Sequence, residues 1–231
     1  TVLLGRRRGV PGGGLGLIAP IAALAVVFGA HFFDIAWYRW DLASREPMLW
    51  LRIQDGVSVF GGVVGAALAI WPLAMGKPTL RAWADVAALG MLVGLTVGRI
   101  GCALVHDHLG LPTDLPIGVD VPVDRLWFPG ARELVVEGAT TVRLHDVGLE
   151  EFLLLIPLLV AALVLRNRFE RGMLAGWIAL GYAAIRFPLD LLRLRELEPV
   201  RLGLTGGQWG CLVLAVVAAV LLALHKRPTP S

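Results

Sequence analysis

Six apolar stretches, at roughly 15–37, 57–75, 83–105, 149–166, 172–192 and 207–225, constrain this chain more than any other feature. Each is near the ~20 residues a helix needs to cross roughly 30 Å of hydrocarbon. Gly and Pro recur inside them, at Pro20, Pro72, Pro157 and Pro188. Such residues weaken helices in water but are tolerated in membrane helices packed against neighbours. Composition points the same way. Hydrophobic residues make up 57% of the chain and charged residues 17%, against about 45–50% and about a quarter in soluble domains. The mean hydropathy is +0.73. The sequence therefore reads as an all-α integral membrane protein: one membrane domain over residues 1–231 with six transmembrane helices. The run Phe60-Gly61-Gly62-Val63-Val64-Gly65 has small residues at helical spacing, suited to close helix approach.

Basic residues set the orientation. Arg6, Arg7 and Arg8 precede the first stretch, Lys77 and Arg81 follow the second, Arg166, Arg168 and Arg171 lie between the fourth and fifth, and Lys226 and Arg227 close the chain. The positive-inside rule puts these loops, and both visible termini, in the cytoplasm. Trp37, Trp40, Trp50 and Trp83 fall near span ends, where aromatic belts form. Three segments then face outward, and the longest, 106–148, carries Pro112, Pro116, Pro122, Pro129 and Gly130. A loop of that length is usually functional, with structure of its own. It is predicted to be a small periplasmic cap between the third and fourth helices. The net charge of +3 fits cytoplasmic loops. No basic stripe is interleaved with aromatics, which argues against nucleic acid. Cys102 and Cys211 have no metal or disulfide spacing.

Charges inside apolar stretches each call for an explanation, because they cost at least about 2.5–3.5 kcal/mol at mid-bilayer. Arg99 ends the third stretch in Gly98-Arg99-Ile100-Gly101-Cys102, and Arg186, Asp190 and Arg193 follow i, i+4, i+7 spacing on one helix face. Two guanidiniums facing one cavity suit a phosphate, which Arg grips through bidentate charge-assisted bonds. The residues alone thus suggest a lipid phosphate site open to the outer leaflet. For Asp34, Asp85 and Arg193, structural pairing and function both remain open. His106-Asp107-His108 offers acid/base or polar positioning groups. As i, i+2 ligands they are a weak metal signal, and no metal is expected. Glu150 and Glu151 read as an acidic first turn complementing a helix dipole.

In order, these motifs resemble the prolipoprotein diacylglyceryl transferase family. Gly98-Arg99-Ile100-Gly101, with Asp107 eight residues after the Arg and Gly110 three further on, then Pro112-Thr113-Asp114, looks like its signature segment. His145-Asp146-Val147-Gly148-Leu149-Glu150-Glu151 is similar to its His-Pro-x-Gln-Leu-Tyr-Glu stretch. Tyr182 to Arg193 resembles the segment with its second essential Arg, and Gly203 to Gln208 its last outer loop. Asp85 stands the expected 14 residues before Arg99. There are departures. The family's Ser-Phe-His-Gly-Gly reads Ser58-Val59-Phe60-Gly61-Gly62 here, so Phe60 holds the place of a histidine. Cys102 and Val105 replace two asparagines, and His31 takes a place usually held by Arg.

The resemblance implies transfer of a diacylglyceryl group from phosphatidylglycerol to the lipobox cysteine of a preprolipoprotein, recognised through its signal peptide, in the bacterial cytoplasmic membrane and without a cofactor. It also implies a seventh helix upstream of Thr1. Arg99 and Arg186 are expected on the phosphate, with Asp107 and Asp190 orienting them or the head-group hydroxyls. His106 or His108 would replace the missing base. Arg193, Gly110, Gly61, Gly62 and His145 complete the expected substrate-binding set. Cys102 is expected to be a small filler rather than an acyl carrier. Two other readings stay open: a catalytically altered or inactive phospholipid-binding paralogue, which Phe60 favours, and a small-molecule or proton transporter, for which no internal repeat is visible.

Overall fold

A computed structural model describes residues 5, 7, 9, 12–74, 80–126, 135, 138–194 and 200–225. Arg6, Arg8, Lys77, Pro129, Gly130, Lys226 and Arg227, used above for orientation and turn chemistry, lie outside them. The chain is mostly helical. In chain order it forms α1 (Gly12–Tyr38), α2 (Trp40–Arg45), α3 (Val59–Ala74), α4 (Leu80–Val105), α5 (Val147–Leu165), α6 (Met173–Leu189) and α7 (Gly206–His225). Six of these fill the six apolar stretches. Among the described residues, four segments are long and apolar enough to cross a membrane, Pro20–Tyr38, Arg81–Val105, Val147–Leu165 and Met173–Leu192.

Residues divide by contacts into two compact units, Thr1–Ala87 with Glu170–Ala175, and Ala88–Phe169 with Gly176–Ser231. In the first, α1 and α3 approach through glycines. A Cβ on Gly29 would lie 2.5 Å from the Gly61 carbonyl oxygen, one on Gly61 would collide with Gly29 and Phe33, and one on Gly65 with the Ala25 carbonyl. Only hydrogen side chains let two backbones come this close. About two turns before the end of α1, buried His31 reaches the carbonyls of Gly56 (3.3 Å) and Trp50 (3.2 Å) through its two ring nitrogens. Asp34 pairs with Arg39 nearby. Asp85 is fully buried, and its carboxylate accepts Gly172 N at 2.7 Å and Ala175 N at 2.8 Å. It therefore satisfies the open amides at the start of α6, a structural task.

In the second unit the described residues between α4 and α5 form strands and one short 3-10 turn, Val123–Arg125. They build a three-stranded antiparallel sheet in the order β1 (Leu109–Pro112), β3 (Thr141–Asp146), β2 (Val119–Pro122). Val121, Val142 and Leu144 are its core, packed by Leu109, Val119 and Leu126. The expected all-α architecture is corrected to this extent: Val-rich alternation, as in Thr141-Val142-Arg143-Leu144, places every second residue inward. A second hairpin pairs β4 (Val200–Arg201) with β5 (Leu204–Thr205). Its turn residues Leu202 and Gly203 have φ of 53° and 80°, the left-handed pair of a tight two-residue turn.

The hairpin delivers Thr205 to the start of α7. Gln208 N donates to Thr205 Oγ1 and Thr205 N donates to Gln208 Oε1, both at 3.1 Å, a reciprocal capping box. Replacing Gly65 by Ala forces the new methyl into the backbone of α1. The expected result is a stability loss of about 1–3 kcal/mol, read as a lowered thermal midpoint in lipid nanodiscs. An unchanged midpoint would mean the two helices do not depend on this contact.

Candidate active site

Four chain segments of the second unit bring their polar groups together. α4 carries Arg99 nearly two turns before its end, α5 carries Glu151 in its second turn, α6 carries Tyr182 and Arg186, and the helical turn after α6 carries Asp190. Glu151 is completely buried and sits at the junction. Its Oε2 accepts Arg99 Nη2 at 2.8 Å and Arg186 Nη1 at 2.7 Å, while Oε1 accepts the Tyr182 hydroxyl at 3.4 Å. Arg186 Nη2 donates to Asp190 Oδ1 at 2.8 Å, and Arg193 Nη1 lies 3.7 Å from the same oxygen. Asp190 Oδ2 accepts the Thr205 hydroxyl, tying the cluster to the α7 capping box. Three guanidiniums against two carboxylates leave one positive charge, so the cluster can accept an anion without building up net negative charge.

Local backbone rules explain how distant residues meet. Pro188 has no N–H to continue α6, which ends one residue later; Asp190–Leu192 forms a tight 3-10 turn and Arg193 is extended. Helical i, i+7 spacing therefore does not carry through to Arg193, and Asp190 holds it instead. Gly110 forms an isolated bridge with Arg193, and a Cβ there would lie 2.5 Å from the Leu192 carbonyl oxygen. Glycine at 110 is thus what lets β1 run beside the 190–193 turn.

The end of α4 depends on a left-handed residue. His106 has φ of 50° immediately after Val105, the usual conformation for stopping a helix, and one that His adopts more readily than branched residues. The chain then doubles back, and Arg99 Nη1 approaches His108 Nε2 at 3.4 Å and Cys102 Sγ at 3.6 Å. His108 Nδ1 donates to Asp107, which leaves Nε2 as the nitrogen with the free lone pair. Burial pushes the imidazole below its ordinary pKa, Asp107 opposes that, and the charge of Arg99 adds to it. The neutral ring is favoured.

The remaining expected site residues have other partners. Asp107 pairs with His108 rather than with an arginine. His106 Nδ1 donates to Asp146 Oδ2 at 2.6 Å, and Asp146 also caps α5 by accepting Leu149 N at 3.0 Å. His145 Nδ1 donates to Glu150 at 2.6 Å. Gly61 and Gly62 belong to the first unit, at the α1–α3 contact. Cys102 packs its Cβ against Gly148, 3.1 Å from where a Cβ there would stand. Its sulfur, Asp107 and His108 also form the one group among the described residues with metal-ligand potential, their donor atoms within 4.8 Å of one another.

Glu151 is the residue that reading the sequence misjudged. As one of two adjacent acids opening a helix, it looks like a dipole partner. Glu150 pairs with His145, and Glu151 instead enters the ion cluster. The available signal was its place in the His145–Glu151 stretch that resembles the family motif.

Fold and cluster together define a mostly helical protein with membrane-length apolar helices and two buried arginines sharing one carboxylate. The profile of prolipoprotein diacylglyceryl transferase matches residues 14–224, and the chain belongs to that family. Similar proteins are named phosphatidylglycerol–prolipoprotein diacylglyceryl transferase. One from Erythrobacter litoralis is 29% identical, covering 88% of this chain and 72% of its own length. One from Methylococcus capsulatus is 30% identical (87% and 74%), and one from Methylocella silvestris 31% identical (90% and 75%).

Glu151 compensates two buried guanidiniums at once. Glu151→Gln should cost about 3–5 kcal/mol, the usual penalty for leaving a buried charge without its partner. Thermal unfolding of the purified protein measures it; a loss below about 1 kcal/mol would mean that solvent or lipid already screens the cluster.

Proposed function

We propose that this chain transfers the diacylglyceryl group of phosphatidylglycerol to the cysteine thiol of a prolipoprotein. The carbon–sulfur bond forms as the bond from glyceryl carbon to phosphate oxygen breaks, and glycerol phosphate leaves. The observation that carries this reading is the convergence of Arg99 and Arg186 on one buried carboxylate oxygen. Glu151 fixes both forks before substrate arrives, so little reorganisation is needed as charge develops on the leaving phosphate. Asp190 holds Arg186 from the other side and links Arg193 into the same set.

The thiol, with a pKa of about 8.5 in solution, must lose its proton to become a good nucleophile. His108 is the base in this reading. Its Nε2 carries the lone pair, faces Arg99, and is oriented by Asp107 through the other nitrogen. His106 is committed to Asp146, so the role divides between the two histidines: His106 shapes the helix end and His108 accepts the proton. Phe60, in the place of the family's histidine, supports the view that this base has moved.

In the same reading the chain is a single membrane domain of the bacterial cytoplasmic membrane with six spanning helices. α3 and α7 join α1, α4, α5 and α6, both visible termini are cytoplasmic, and the 106–148 segment is a cap on the periplasmic side, near where the signal peptide of the acceptor enters. Gly110, by admitting the 190–193 turn, and His145, by holding Glu150, support the site rather than touch substrate.

Complementation tests the function. In cells depleted of their own transferase, the full-length gene should convert a tagged preprolipoprotein to its lipid-modified form, and Arg99→Ala and Arg186→Ala should each reduce conversion by about 100-fold or more. Failure of the unaltered, membrane-folded protein to convert any substrate would overturn the transferase reading in favour of the phospholipid-binding paralogue. For the base, His108→Gln is expected to slow transfer about 100-fold and His106→Gln to cost stability with little change in rate. Equal rates for the His108 variant and the parent would sink the assignment.

A further inference from the structure

The end of α4 gathers three metal-binding side chains around a position that a cation already occupies. Cys102 Sγ, Asp107 and His108 have donor atoms within 4.8 Å of one another. Between the sulfur and the ring lies Arg99 Nη1, 3.6 Å from Cys102 Sγ and 3.4 Å from His108 Nε2. Thiolate, imidazole and carboxylate together suit zinc-class ions, whereas magnesium or calcium would want oxygen alone. His108 presents the lone pair of Nε2 to this position, and Asp107 holds the ring from Nδ1. Asp107 is engaged with Nδ1, so to serve as the third ligand its carboxylate must leave the ring and turn toward the ion.

Zinc bonds of about 2.0–2.3 Å need the donors somewhat closer together than they stand. Cys102 and His108 are half-buried and Asp107 is exposed, so side-chain rotation can supply the difference. The competing cation can also withdraw. Arg99 keeps its strong bond through Nη2, at 2.8 Å to Glu151, and its Nε has no hydrogen-bond partner. Pivoting Nη1 away breaks only the two long contacts. Three protein ligands and an open fourth position are the arrangement of an exchangeable site rather than a closed structural one.

We propose that Cys102, Asp107 and His108 form a binding site for a thiophilic divalent cation of the zinc class, which competes with Arg99 Nη1 and, when bound, holds the enzyme off. Binding converts the Cys102 thiol to a thiolate, with its proton released to solvent. The inhibitory part rests on the transferase reading above, because the ion ties up His108 and disturbs the phosphate grip of Arg99. The binding part does not.

The test uses the purified full chain in nanodiscs, titrated with Cd2+ as a spectroscopic stand-in for Zn2+. A saturable ultraviolet thiolate-to-cadmium band with one ion per chain is expected. Cys102→Ala should abolish the band, and His108→Gln should weaken binding by about 10-fold or more. Cys211→Ser, which alters the other thiol, should leave it intact. Arg99→Ala should tighten binding, since it removes the competing charge; mere structural damage would weaken it. No band in the parent, a band that survives Cys102→Ala, or weaker binding in a folded Arg99→Ala variant would each overturn the site. With binding established, Zn2+ should inhibit transfer by the parent and not by Cys102→Asn. Equal inhibition of both would overturn the regulatory half. A parent with the band but no transfer activity at all would count against the transferase reading and leave the metal site standing.

Discussion

The buried carboxylate of Glu151 is the constraint on which the second unit depends. Two guanidiniums cannot be withdrawn from water side by side without a counter-charge, since each would carry the full desolvation cost and repel the other. One carboxylate oxygen meets both Arg99 and Arg186, which makes their proximity affordable. The remaining architecture serves this junction. α5 must begin where it does to bring Glu151 inward, and it begins there because Asp146 caps it. α6 must stop after Pro188 so that Asp190 can turn back onto Arg186.

The cluster also explains why the α7 terminus is built so firmly. Asp190 takes two cations on one oxygen and the Thr205 hydroxyl on the other, and Thr205 is half of a capping box with Gln208. Gly207 leaves room for this: a Cβ there would lie 3.0 Å from Asp190 Oδ1. A tight hairpin with left-handed Leu202 and Gly203 sets the register. The same polar chain thus runs from α4 through α5 and α6 to α7. Each link is a bond that fixes one polar side chain against the next.

Polar groups inside the apolar chain sort by what they face. Asp85 faces open backbone amides and caps a helix. His31 faces two carbonyls and anchors a loop. Arg99 faces a carboxylate on one side and, on the other, only a thiol and a ring nitrogen. A cation with half of its donors on weak acceptors is available for a stronger partner. This is the physical distinction between the structural charges of this protein and the one that reads as reactive.

Much of this was legible in the order of residues. Apolar runs of bilayer length determine helices, because lipid leaves every backbone amide to be satisfied within its own segment. The small residues of Phe60–Gly65 announced a close crossing, and the motifs at Arg99, His145, Arg186 and Gln208 identified the family. Local sequence could not say which acid meets which base. Asp107 is eight residues from Arg99 yet turns to His108, while Glu151, 52 residues away, closes on Arg99. Nor could it separate His106 from His108, or bring Cys102 to the latter. Those outcomes follow from a single left-handed residue at the end of α4 and from the packing of helices remote in sequence. Pairing energies depend on distance and burial in three dimensions, and a linear pattern carries neither.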